Sequence, residues 1–359
     1  MAQTDWMAQY QDRKLGDMHL PGSHDAGTTK NFIDKTLFGT NSNAATQDLT
    51  ILEQLAVGTR FFDLRLATHK KQVVAHHTTA GQGAFSKTSV DEVLEGAAKF
   101  WKSHRTEVII FRISHTSAST EAHQIAKLSG VGALHKGTGN LCTKTLGEIV
   151  SNGGGLVCIF DEDKFGNVIS QGEGIHGYTK HSKNPANDRG ISTCGCYSGT
   201  HKLHQVMTNG LKGQYEHNAK HNVNGTHLWQ VYWQKTYVNP ASTTGIQDGT
   251  TKQRPFYRFS DGKVHGGTHE STSFMLRLMK GMGPKSVPLD FEVQAEESKK
   301  VGALRKKVVT QPRVMYSTLP VRNYSLPNIV SYDFVNATVN AEIIALNAKG
   351  RQSLPDDNS

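Results

Sequence analysis

The chain has 359 residues, 36% of them apolar and 20% charged, which indicates a loop-rich folded protein that can bury a sizeable core. Its formal net charge of +9 favours an anionic partner, and phosphate-bearing lipid headgroups and nucleic acid both qualify. The basic residues are spread along the chain rather than clustered in a stripe, so nucleic acid is not the partner that we expect.

The hydropathy of the sequence indicates no targeting segment. The N-terminus MAQTDWMAQYQDRK has no apolar segment, and no run of 18 apolar residues occurs anywhere. We therefore expect neither a signal peptide nor a transmembrane helix in this sequence. A secreted protein, in a mature or leaderless form, is favoured over a cytoplasmic one, and we expect a monomer.

Apolar β-rich runs recur along the chain, with helix-like or polar segments between them. This alternation predicts parallel βα units. Apolar residues at helical spacing predict a helix in VDEVLEGAAKFWKSH and another in AEIIALNA near the end of the sequence. Eight strands are predicted, which fit a closed barrel; they cover residues 15–20, 60–66, 72–77, 108–114, 156–160, 228–233, 287–292 and 328–335.

Two long segments lack regular periodicity. Residues 166–227 are rich in Gly, Asn, Lys and His and are predicted to form a long decorated loop. A second irregular segment covers about residues 239–285, and STSFMLRLMKGMG within it predicts a short amphipathic helix. Because no internal repeat and no clean linker occurs, we predict a single domain over residues 1–359 that contains these two insertions.

The four cysteines do not form a recognisable metal-binding pattern. Cys158 lies in the apolar run LVCIF and is predicted to be a buried thiol. Cys194 and Cys196 are too closely spaced for the usual zinc knuckle, and no second Cys or His pair accompanies them at ligand spacing. Thiols in a loop are favoured over a local disulfide or redox pair.

Three short patches within the first 80 residues place ionisable side chains where predicted strands end. They are His24-Asp25 in LPGSHDAGT, Asp63 and Arg65 in RFFDLRL, and His77 in QVVAHH. Alternate side chains of a strand share a face, so Asp63 and Arg65 form either one wall of an anion site or a plain ion pair. The first patch equally suits a helix cap, and the third a pair of surface histidines.

Together these five side chains suit cleavage of a phosphate ester without a metal ion. One imidazole can take a proton from the attacking oxygen while the other gives a proton to the leaving oxygen. The guanidinium of Arg65 can neutralise the phosphate between them through paired hydrogen bonds. Because phosphoryl transfer depends mainly on positioning and charge stabilisation, so small a set of residues can carry the reaction.

The order and spacing of the patches closely resemble the X domain of the bacterial phosphatidylinositol-specific phospholipases C. Residues 21–28, PGSHDAGT, are similar to the family's PG(T/S)HDSGT, residues 62–65, FDLR, to its FDIR, and residues 76–77 to its HHG. The strand NIVSYDFVN, which contains Asp333, resembles the family's last strand, and residues 46–55 resemble its TQ-containing helix. The resemblance covers about residues 15–115 and 325–347.

This resemblance implies a distorted TIM (β/α)8 barrel of the α/β class and a two-stage phosphodiester reaction. The inositol 2-hydroxyl attacks its own phosphate, which expels diacylglycerol and leaves a cyclic phosphate that water can open later. His24 would be the general base, with Asp333 orienting it and stabilising its cationic form. His77 would be the general acid, supported by Asp25, and Arg65 would bind the non-bridging phosphate oxygens.

The resemblance also bears on Asp63 and on the need for a metal. Asp63 would hold Arg65 or His77 in place. In the eukaryotic-type enzymes of this superfamily an acidic residue stands at the position of Arg65, and a calcium ion neutralises the phosphate charge. Here the guanidinium has that role and would repel a metal ion beside it, so we expect no metal ion and no cofactor.

The headgroup pocket matches the family less well than the catalytic centre does. The Lys and Arg that hold the inositol ring in the bacterial family are replaced here, with Ser114 or His115 at the first position and Asp161 or Glu162 near the second. The family's VQDxY-like strand reads WQVYW in this chain. The candidate substrate-binding residues are Ser114, His115, Tyr232 and Trp233.

The motifs favour an enzyme that cleaves phosphatidylinositol, or a related inositol phospholipid, at a membrane surface. The first alternative is a related phosphodiesterase on glycerophosphodiesters or sphingolipids, although such relatives usually need a metal ion. The second is a catalytically silent barrel that binds phosphoinositides, against which the two imidazoles argue. The loop NFIDKTLFGTNSNAAT combines apolar and basic residues, which suits either shallow insertion into a lipid interface or packing onto the barrel.

Overall fold

The computed structural model describes residues 3–29, 32–35, 45–79, 82–116, 132–180, 188–195, 227–233, 256–258, 264–265, 288–294, 296–301, 304–309, 313–318 and 327–349. Its strands are β1 (Leu20–Ser23), β2 (Phe32–Lys35), β3 (Phe61–His69), β4 (Gln72–Thr79), β5 (Gln82–Ser89), β6 (Ile109–Ser114), β7 (Leu156–Asp161), β8 (Ile175–Lys180), β9 (Gly190–Cys194), β10 (Leu228–Trp233), β11 (Phe256–Arg258), β12 (Val264–His265), β13 (Pro288–Gln294), β14 (Glu296–Val301), β15 (Leu304–Val309), β16 (Arg313–Thr318) and β17 (Ile329–Tyr332). Its α-helices are α1 (Ile51–Ala56), α2 (Val90–Ser103), α3 (Leu146–Ser151), α4 (Glu162–Phe165) and α5 (Ala337–Ile344). Short 3-10 helices lie at Trp6–Tyr10, Leu15–Asp17, Leu141–Thr143, Gln171–Glu173 and Ala345–Lys349.

Eight parallel strands close into a barrel. Their order around the ring is β1, β3, β6, β7, β8, β9, β10 and β17, and β17 pairs with β1 to complete it. Ser23 lies beside Tyr332 across the closing pair, and Gly22 lies beside Phe61 of β3. The predicted α/β class and distorted (β/α)8 barrel are therefore confirmed.

One strand that the sequence assigns to the barrel lies outside the ring. Residues 72–77 fall in β4, which is antiparallel to β3 and continues the sheet through β5 to β2. Only Lys70 and Lys71 join β3 to β4, and both have positive φ (47° and 68°). So short a turn joins only antiparallel strands, because a parallel crossover needs about a dozen residues or more. The prediction of a barrel strand here is wrong, although β4 still carries His77 to the rim.

Two other predicted strands are displaced. Of the strand predicted over residues 287–292, residues 288–292 fall in β13, which belongs to a separate antiparallel sheet of order β12, β11, β13 and β16. β14 and β15 form a further hairpin. At the start of the chain the predicted strand over residues 15–20 is a 3-10 helix at Leu15–Asp17, and β1 begins only at Leu20.

Two barrel strands occur where the sequence predicts a loop. β8 and β9 lie within residues 166–227, so the loop prediction is wrong for this part of the segment. Their sequences, IHGYTK and GISTC, hold few large apolar residues. Buried polar side chains are satisfied instead: His176 Nε2 donates to the carbonyl of His135 at 2.8 Å, and Ser192 bonds to Asn140 and Asp188. Such strands lack the apolar run that usually marks a barrel strand.

The core has two layers, one inside the barrel and one between the barrel and its helices. On β3, Phe61 packs into the interior layer, whereas Phe62 and Leu64 pack in the outer layer against α2, as strand alternation predicts. Trp6 and Met7 pack into the interior layer, and Trp6 Nε1 donates to the carbonyl of Gly58 just before β3 begins. The amino end of the barrel is therefore filled by apolar side chains.

The predicted helices and two of the predicted cysteine environments fall on residues that the structure describes. The two predicted helices are confirmed as α2 and α5. Cys158 is buried as predicted, and burial raises the pKa of its thiol to about 12. Cys194 is also buried, whereas Cys196, the predicted helix STSFMLRLMKGMG and most of the apolar and basic loop lie outside the described residues. None of the described helices is long and apolar enough to cross a membrane.

Candidate active site

The candidate site lies at the rim where the barrel strands end. In a parallel barrel all strands end at the same rim, so residues that follow different strands come together there. β1 and β17 are neighbours, and therefore His24 and Asp333, which follow them, meet although they are 309 positions apart in sequence. Arg65 lies on β3, the other neighbour of β1. Closure of the barrel thus brings the first, second and last motifs together.

His24 is oriented by Asp333. Its Nδ1 donates to Asp333 Oδ1 at 2.8 Å, and its side chain is almost fully buried. Nε2 therefore faces the site, 3.5 Å from Asp25 Oδ2 and 3.5 Å from Arg65 Nη2. Burial by itself lowers the pKa of His24, but Asp25 and Asp333 outweigh it, so the pKa lies above its ordinary value. This is the geometry of a general base with a carboxylate behind it.

Asp25 lies at the centre of the site. It is 1% exposed, its Oδ1 is 2.5 Å from Arg65 Nε, and its Oδ2 is 3.5 Å from Nε2 of both His24 and His77. Burial by itself raises the pKa of Asp25, but Arg65 and then His24 and His77 outweigh it and lower the pKa to about 2. Asp25 therefore stays ionised between the two imidazoles and the guanidinium.

Of the two adjacent histidines on β4, His77 is the one that faces Asp25. His76 points elsewhere, with its Nε2 3.4 Å from the carbonyl oxygen of His115. Burial lowers the pKa of His76 below its ordinary value. The structure therefore places His24, Arg65 and His77 around the carboxylate of Asp25, with Asp333 behind His24, at the positions that the motifs indicate.

The turn that carries His24 and Asp25 is held by three residues to which the sequence analysis gave no role. Asp25 has a left-handed backbone (φ 42°), and its carbonyl accepts hydrogen bonds from Thr46 Oγ1 and Thr28 Oγ1, both at 2.8 Å. Gln47 Nε2 donates to the carbonyl of His24 at 2.9 Å, and its Oε1 accepts from the Val335 N–H at 3.0 Å. In the sequence, the Thr46-Gln47 pair before α1 was the feature from which this support of the turn could have been predicted.

Asp63 has different partners from those that the resemblance implies. Ser114 Oγ donates to its Oδ1 at 2.9 Å, and Arg112 Nη1 lies 3.9 Å from its Oδ2. The carboxylate that pairs with Arg65 is that of Asp25, from the adjoining turn, rather than that of Asp63 on the same strand. Asp63 therefore contacts Ser114 and Arg112 directly, and the guanidinium of Arg65 has Asp25 as its carboxylate partner.

Arg112 is a site residue that the sequence analysis missed. Its Nη1 donates to Tyr232 Oη at 2.7 Å, its Nη2 donates to Tyr178 Oη at 3.2 Å, and the guanidinium lies 4.8 Å from the Tyr178 ring centre. Strand alternation was the available signal, since Arg112 shares the face of Ser114 on β6 and interrupts an otherwise apolar run. Arg112 gives the barrel interior a second guanidinium.

The predicted substrate-binding residues divide into three groups. Ser114 and Tyr232 are buried in the site, and burial raises the pKa of Tyr232 to about 12, so its hydroxyl stays protonated. His115 is exposed at the rim, with Nδ1 3.3 Å from Ser114 Oγ. The side chain of Trp233 lies outside the described residues.

Asp161 and Glu162, near the second predicted headgroup position, have structural partners instead. Asp161 Oδ1 accepts from the Asp163 N–H at the start of α4. Glu162 Oε1 is 2.6 Å from Arg189 Nε, in an ion pair that is partly exposed. These contacts account for both carboxylates without a bound headgroup.

One group of described residues could hold a metal ion. His24, Asp25 and Asp63 each offer a ligand atom, and these atoms lie within 4.8 Å of one another. The fit is poor, because Arg65 already pairs with Asp25 at 2.5 Å and a divalent cation there would be repelled by the guanidinium. The absence of a metal requirement stays a prediction.

The closed barrel defines an α/β-barrel protein, and its rim holds two imidazoles, a guanidinium and buried carboxylates as a candidate active site. No protein-family model matches the chain. It is 32% identical over 138 residues to PI-PLC X domain-containing protein 3 of Danio rerio, a match that covers 31% of this chain and 42% of that protein. It is 30% identical over 118 residues to 1-phosphatidylinositol phosphodiesterase of Listeria monocytogenes, covering 33% and 34%.

A solved structure of Staphylococcus aureus phosphatidylinositol-specific phospholipase C superposes on the chain with a TM-score of 0.57 and 14% identity, covering 96% of this chain and 97% of that one. The sequence matches span less than half the length of these curated relatives. The resemblance that the motifs predict is confirmed: the chain is similar in sequence to PI-PLC X-domain proteins and has the barrel fold of the bacterial phospholipases C.

Proposed function

We propose that this protein cleaves phosphatidylinositol, or a related inositol phospholipid, at a membrane surface to diacylglycerol and inositol 1,2-cyclic phosphate, without a metal ion. The observation that carries the proposal is the placement of Asp25 between Arg65, His24 and His77. A single phosphate that binds the guanidinium would lie between two imidazoles. That arrangement suits proton removal on one side and proton delivery on the other.

In the first step the inositol 2-hydroxyl oxygen forms a bond to phosphorus and its proton passes to His24 Nε2. The resulting imidazolium keeps its hydrogen bond from Nδ1 to Asp333, which stabilises the new positive charge. Arg65 donates to the non-bridging oxygens, whose negative charge grows as the fifth bond forms. Asp25 holds Arg65 in position for this contact.

In the same displacement the bond from phosphorus to the glycerol oxygen breaks, and His77 gives its proton to that oxygen. Uncharged diacylglycerol leaves, and the inositol phosphate remains as a cyclic diester. Asp25, which has both imidazoles within 3.5 Å, favours the protonated form of His77 before the step and that of His24 after it. Asp63, Ser114 and Arg112 line the interior beneath the reacting groups and are proposed to face the headgroup.

The comparisons support a lipid phosphodiester as the substrate. The Listeria relative is named a 1-phosphatidylinositol phosphodiesterase, and the similar fold belongs to a phosphatidylinositol-specific phospholipase C. A related, metal-dependent phosphodiesterase on another headgroup is the second candidate. The one observation that favours it is the set of donor atoms on His24, Asp25 and Asp63.

Phosphorus NMR of the protein with phosphatidylinositol vesicles in the presence of EDTA tests the proposal. We expect the signal of a cyclic inositol phosphate to appear in EDTA and to be absent with the variant Arg65→Ala. Turnover that EDTA abolishes and a divalent cation restores would contradict the metal-independent mechanism and favour the second candidate. No turnover of phosphatidylinositol, glycerophosphodiesters or sphingomyelin would instead indicate a binding barrel.

A further inference from the structure

An apolar cavity of about 240 Å³ lies on the outer side of the barrel wall, next to the turn that carries His24 and Asp25. Its walls come from the outward face of β3, from β4 and β5, and from the first turns of α1 and α2. For comparison, an apolar cavity of about 150 Å³ suffices to bind benzene. The lining residues are Gly27, Thr29, Thr50, Ile51, Leu52, Leu64, Leu66, Ala75, Ser86, Thr88, Val90, Glu92 and Val93.

The cavity and the candidate active site share a wall. Gly27, two residues after Asp25, lines the cavity and lies so close to β4 that an added Cβ would be 2.3 Å from Ala75 Cβ. Ala75 and His77 are alternate residues of β4 and therefore project to the same side of that strand, about 7 Å apart along it. The cavity wall at Ala75 therefore lies two residues along β4 from His77, the imidazole that faces the leaving oxygen in the proposed reaction.

The cavity also reaches the protein surface through an apolar side chain. Leu52 lines it and is 45% exposed, and among the described residues it is the one large apolar side chain that is exposed. Its position at the first turn of α1 places it on the same rim as the active site, because barrel helices begin where the strands end. An apolar ligand could thus pass from the rim into the cavity.

The charge of the lining distinguishes between classes of ligand. Among the lining residues that the structure describes, Glu92 is the one charged side chain, and none of these residues is Lys, Arg or His. A carboxylate at this position opposes an anionic ligand such as a free fatty acid, while the aliphatic and threonine side chains suit an uncharged hydrocarbon chain. The volume accommodates part of one such chain rather than a whole lipid.

We propose that this cavity binds part of an acyl chain of the glycerolipid leaving group and holds it as the uncharged diacylglycerol leaves; this inference rests on the proposed function. The cavity then acts as a substrate subsite on the leaving-group side of the phosphate. Each methylene that enters it strengthens binding by about fourfold, which corresponds to about 0.8 kcal/mol. The gain stops when the cavity is full.

Direct binding is tested with the full chain carrying isotope-labelled Ile, Leu and Val methyl groups and with dihexanoylglycerol as the probe. We expect the methyl signals of Leu52, Leu64 and Val93 to shift, while those of Ile110 and Ile159 inside the barrel stay in place. Hexanoate, which carries the same alkyl chain on a carboxylate, should cause smaller shifts. Absence of shifts with the diglyceride, or equal binding of hexanoate, would overturn the proposal.

The kinetic test compares Leu52→Glu with Ala56→Glu, which adds the same charge at an exposed position of the same helix outside the cavity lining. Soluble dibutanoyl and dihexanoyl phosphatidylinositol are the substrates, and kcat/KM is measured on each. Wild type and Ala56→Glu should gain at least about fourfold from the longer chains. Leu52→Glu should gain little, while hydrolysis of the inositol cyclic phosphate stays unchanged in all three.

The two tests fail in distinguishable ways. If no variant turns over either lipid, the proposed function is wrong, and the methyl shifts still report whether the cavity binds the diglyceride. If turnover occurs and Leu52→Glu keeps the wild-type dependence on chain length, the acyl-chain subsite is wrong and the proposed function stands.

Discussion

Asp25 determines how the candidate site is charged. Its carboxylate neutralises Arg65 and lies within 3.5 Å of two imidazoles, so it allows three potentially cationic side chains to share a small volume. Its backbone is left-handed, a conformation that aspartate adopts more readily than most residues, and two threonine hydroxyls that donate to its carbonyl hold it there.

The two imidazoles lead to a prediction about rate and pH. His24→Ala and His77→Ala should each lower the rate on phosphatidylinositol by at least about 100-fold, the lower range for general acid–base residues. Because one imidazole must be neutral and the other protonated, the pH profile should be bell-shaped. Its acid limb should lie above pH 6.5, since the pKa of His24 is raised above that value.

Initial rates between pH 5 and 9, with circular dichroism to check folding, measure both effects. Both histidines lie at the rim rather than in the core, so the variants should stay folded. A flat profile between pH 5 and 8, or a rate that survives either substitution, would contradict the assignment.

The geometry of Arg65 leads to a second prediction. Its Nε pairs with Asp25 while its Nη2 lies 3.5 Å from His24 Nε2, so one planar group contacts both residues. A lysine offers only a point charge and cannot replace the fork. Arg65→Lys should therefore be nearly as slow as Arg65→Ala, and both should be at least about 100-fold slower than wild type.

Arg189→Lys is the matched control for Arg65→Lys, because Arg189 forms a partly exposed ion pair outside the site. Its rate should equal that of wild type within about twofold. Initial rates of wild type, Arg65→Lys, Arg65→Ala and Arg189→Lys, all measured in EDTA, test this prediction. A wild-type enzyme that proves to need calcium would show that the reasoning about the guanidinium is wrong.

Between elements, Gln47 joins the ends of β1 and β17. Its amide donates to the carbonyls of His24 and Tyr332 and accepts from the Val335 N–H, and it is fully buried. The two strand ends that it joins carry His24 and Asp333, the proposed base and its orienting carboxylate. We therefore regard Gln47 as a positioning residue for that pair.

Replacing Gln47 should lower both stability and catalysis. Gln47→Ala leaves three backbone groups without this partner, which should lower the free energy of unfolding by about 1–3 kcal/mol and kcat by at least about tenfold. Asn347→Ala is the control, since Asn347 is also a buried amide bonded to backbone but at His19, before β1 begins. It should lose similar stability with little change in kcat. Equal kcat in the two folded variants, measured with urea unfolding alongside, would contradict the positioning role.

The elements show why part of the fold was predictable and part was not. The strand RFFDLRL and helix α2 have strong periodicity, and both occur as expected. The hairpin at Lys70 and Lys71 was mistaken for a parallel connection because strand periodicity does not report direction. β8 and β9 were missed because they contain few apolar residues, and some of their buried side chains are polar and hydrogen-bonded, as His176 is to the His135 carbonyl and Ser192 to Asn140.

The candidate site was likewise predictable only in part from the sequence. His24, Asp25, Arg65, His77 and Asp333 were predictable because short motifs carry them and barrel closure brings strand ends together. Arg112 and Gln47 were missed because each acts through tertiary contacts, with tyrosines on β8 and β10 and with the ends of β1 and β17. The partner of Asp63 likewise depends on the register of β3 against β6, which pairs it with Arg112.

The whole barrel contains a pair of buried histidines that the proposed chemistry does not use. His135 and His176 stack with ring centres 5.2 Å apart, and burial lowers the pKa of each to about 4. The ordinary value of 6.5 applies in the unfolded chain, which therefore binds more protons than the folded barrel between pH 6.5 and 4. Folding stability should fall as pH falls through this range.

Other titratable side chains contribute differently to the pH dependence of folding stability. His24 adds no slope there, because its raised pKa means that it is protonated in both states below pH 6.5; its stabilisation is lost only at higher pH. Asp25 acts at lower pH, between 3.8 and about 2. His76 and His115 also have lowered pKa values, His115 through partial loss of hydration at the rim and through Arg65, so they act in the same direction as the pair. Glu107, whose pKa burial raises, acts against it.

A variant isolates the contribution of the pair. Each shifted histidine contributes up to about 3 kcal/mol of pH dependence, at about 1.4 kcal/mol per pKa unit. His176→Gln removes one of them but keeps a neutral donor for the His135 carbonyl, so the loss of stability from pH 7 to pH 4.5 should shrink by about a third or more. Leu134→Ala, a buried neighbour without a titratable group, should lower stability by a similar amount at both pH values. Urea unfolding at each pH measures these differences, and a His176→Gln protein with the wild-type pH dependence would show that the acid sensitivity of the barrel has another source.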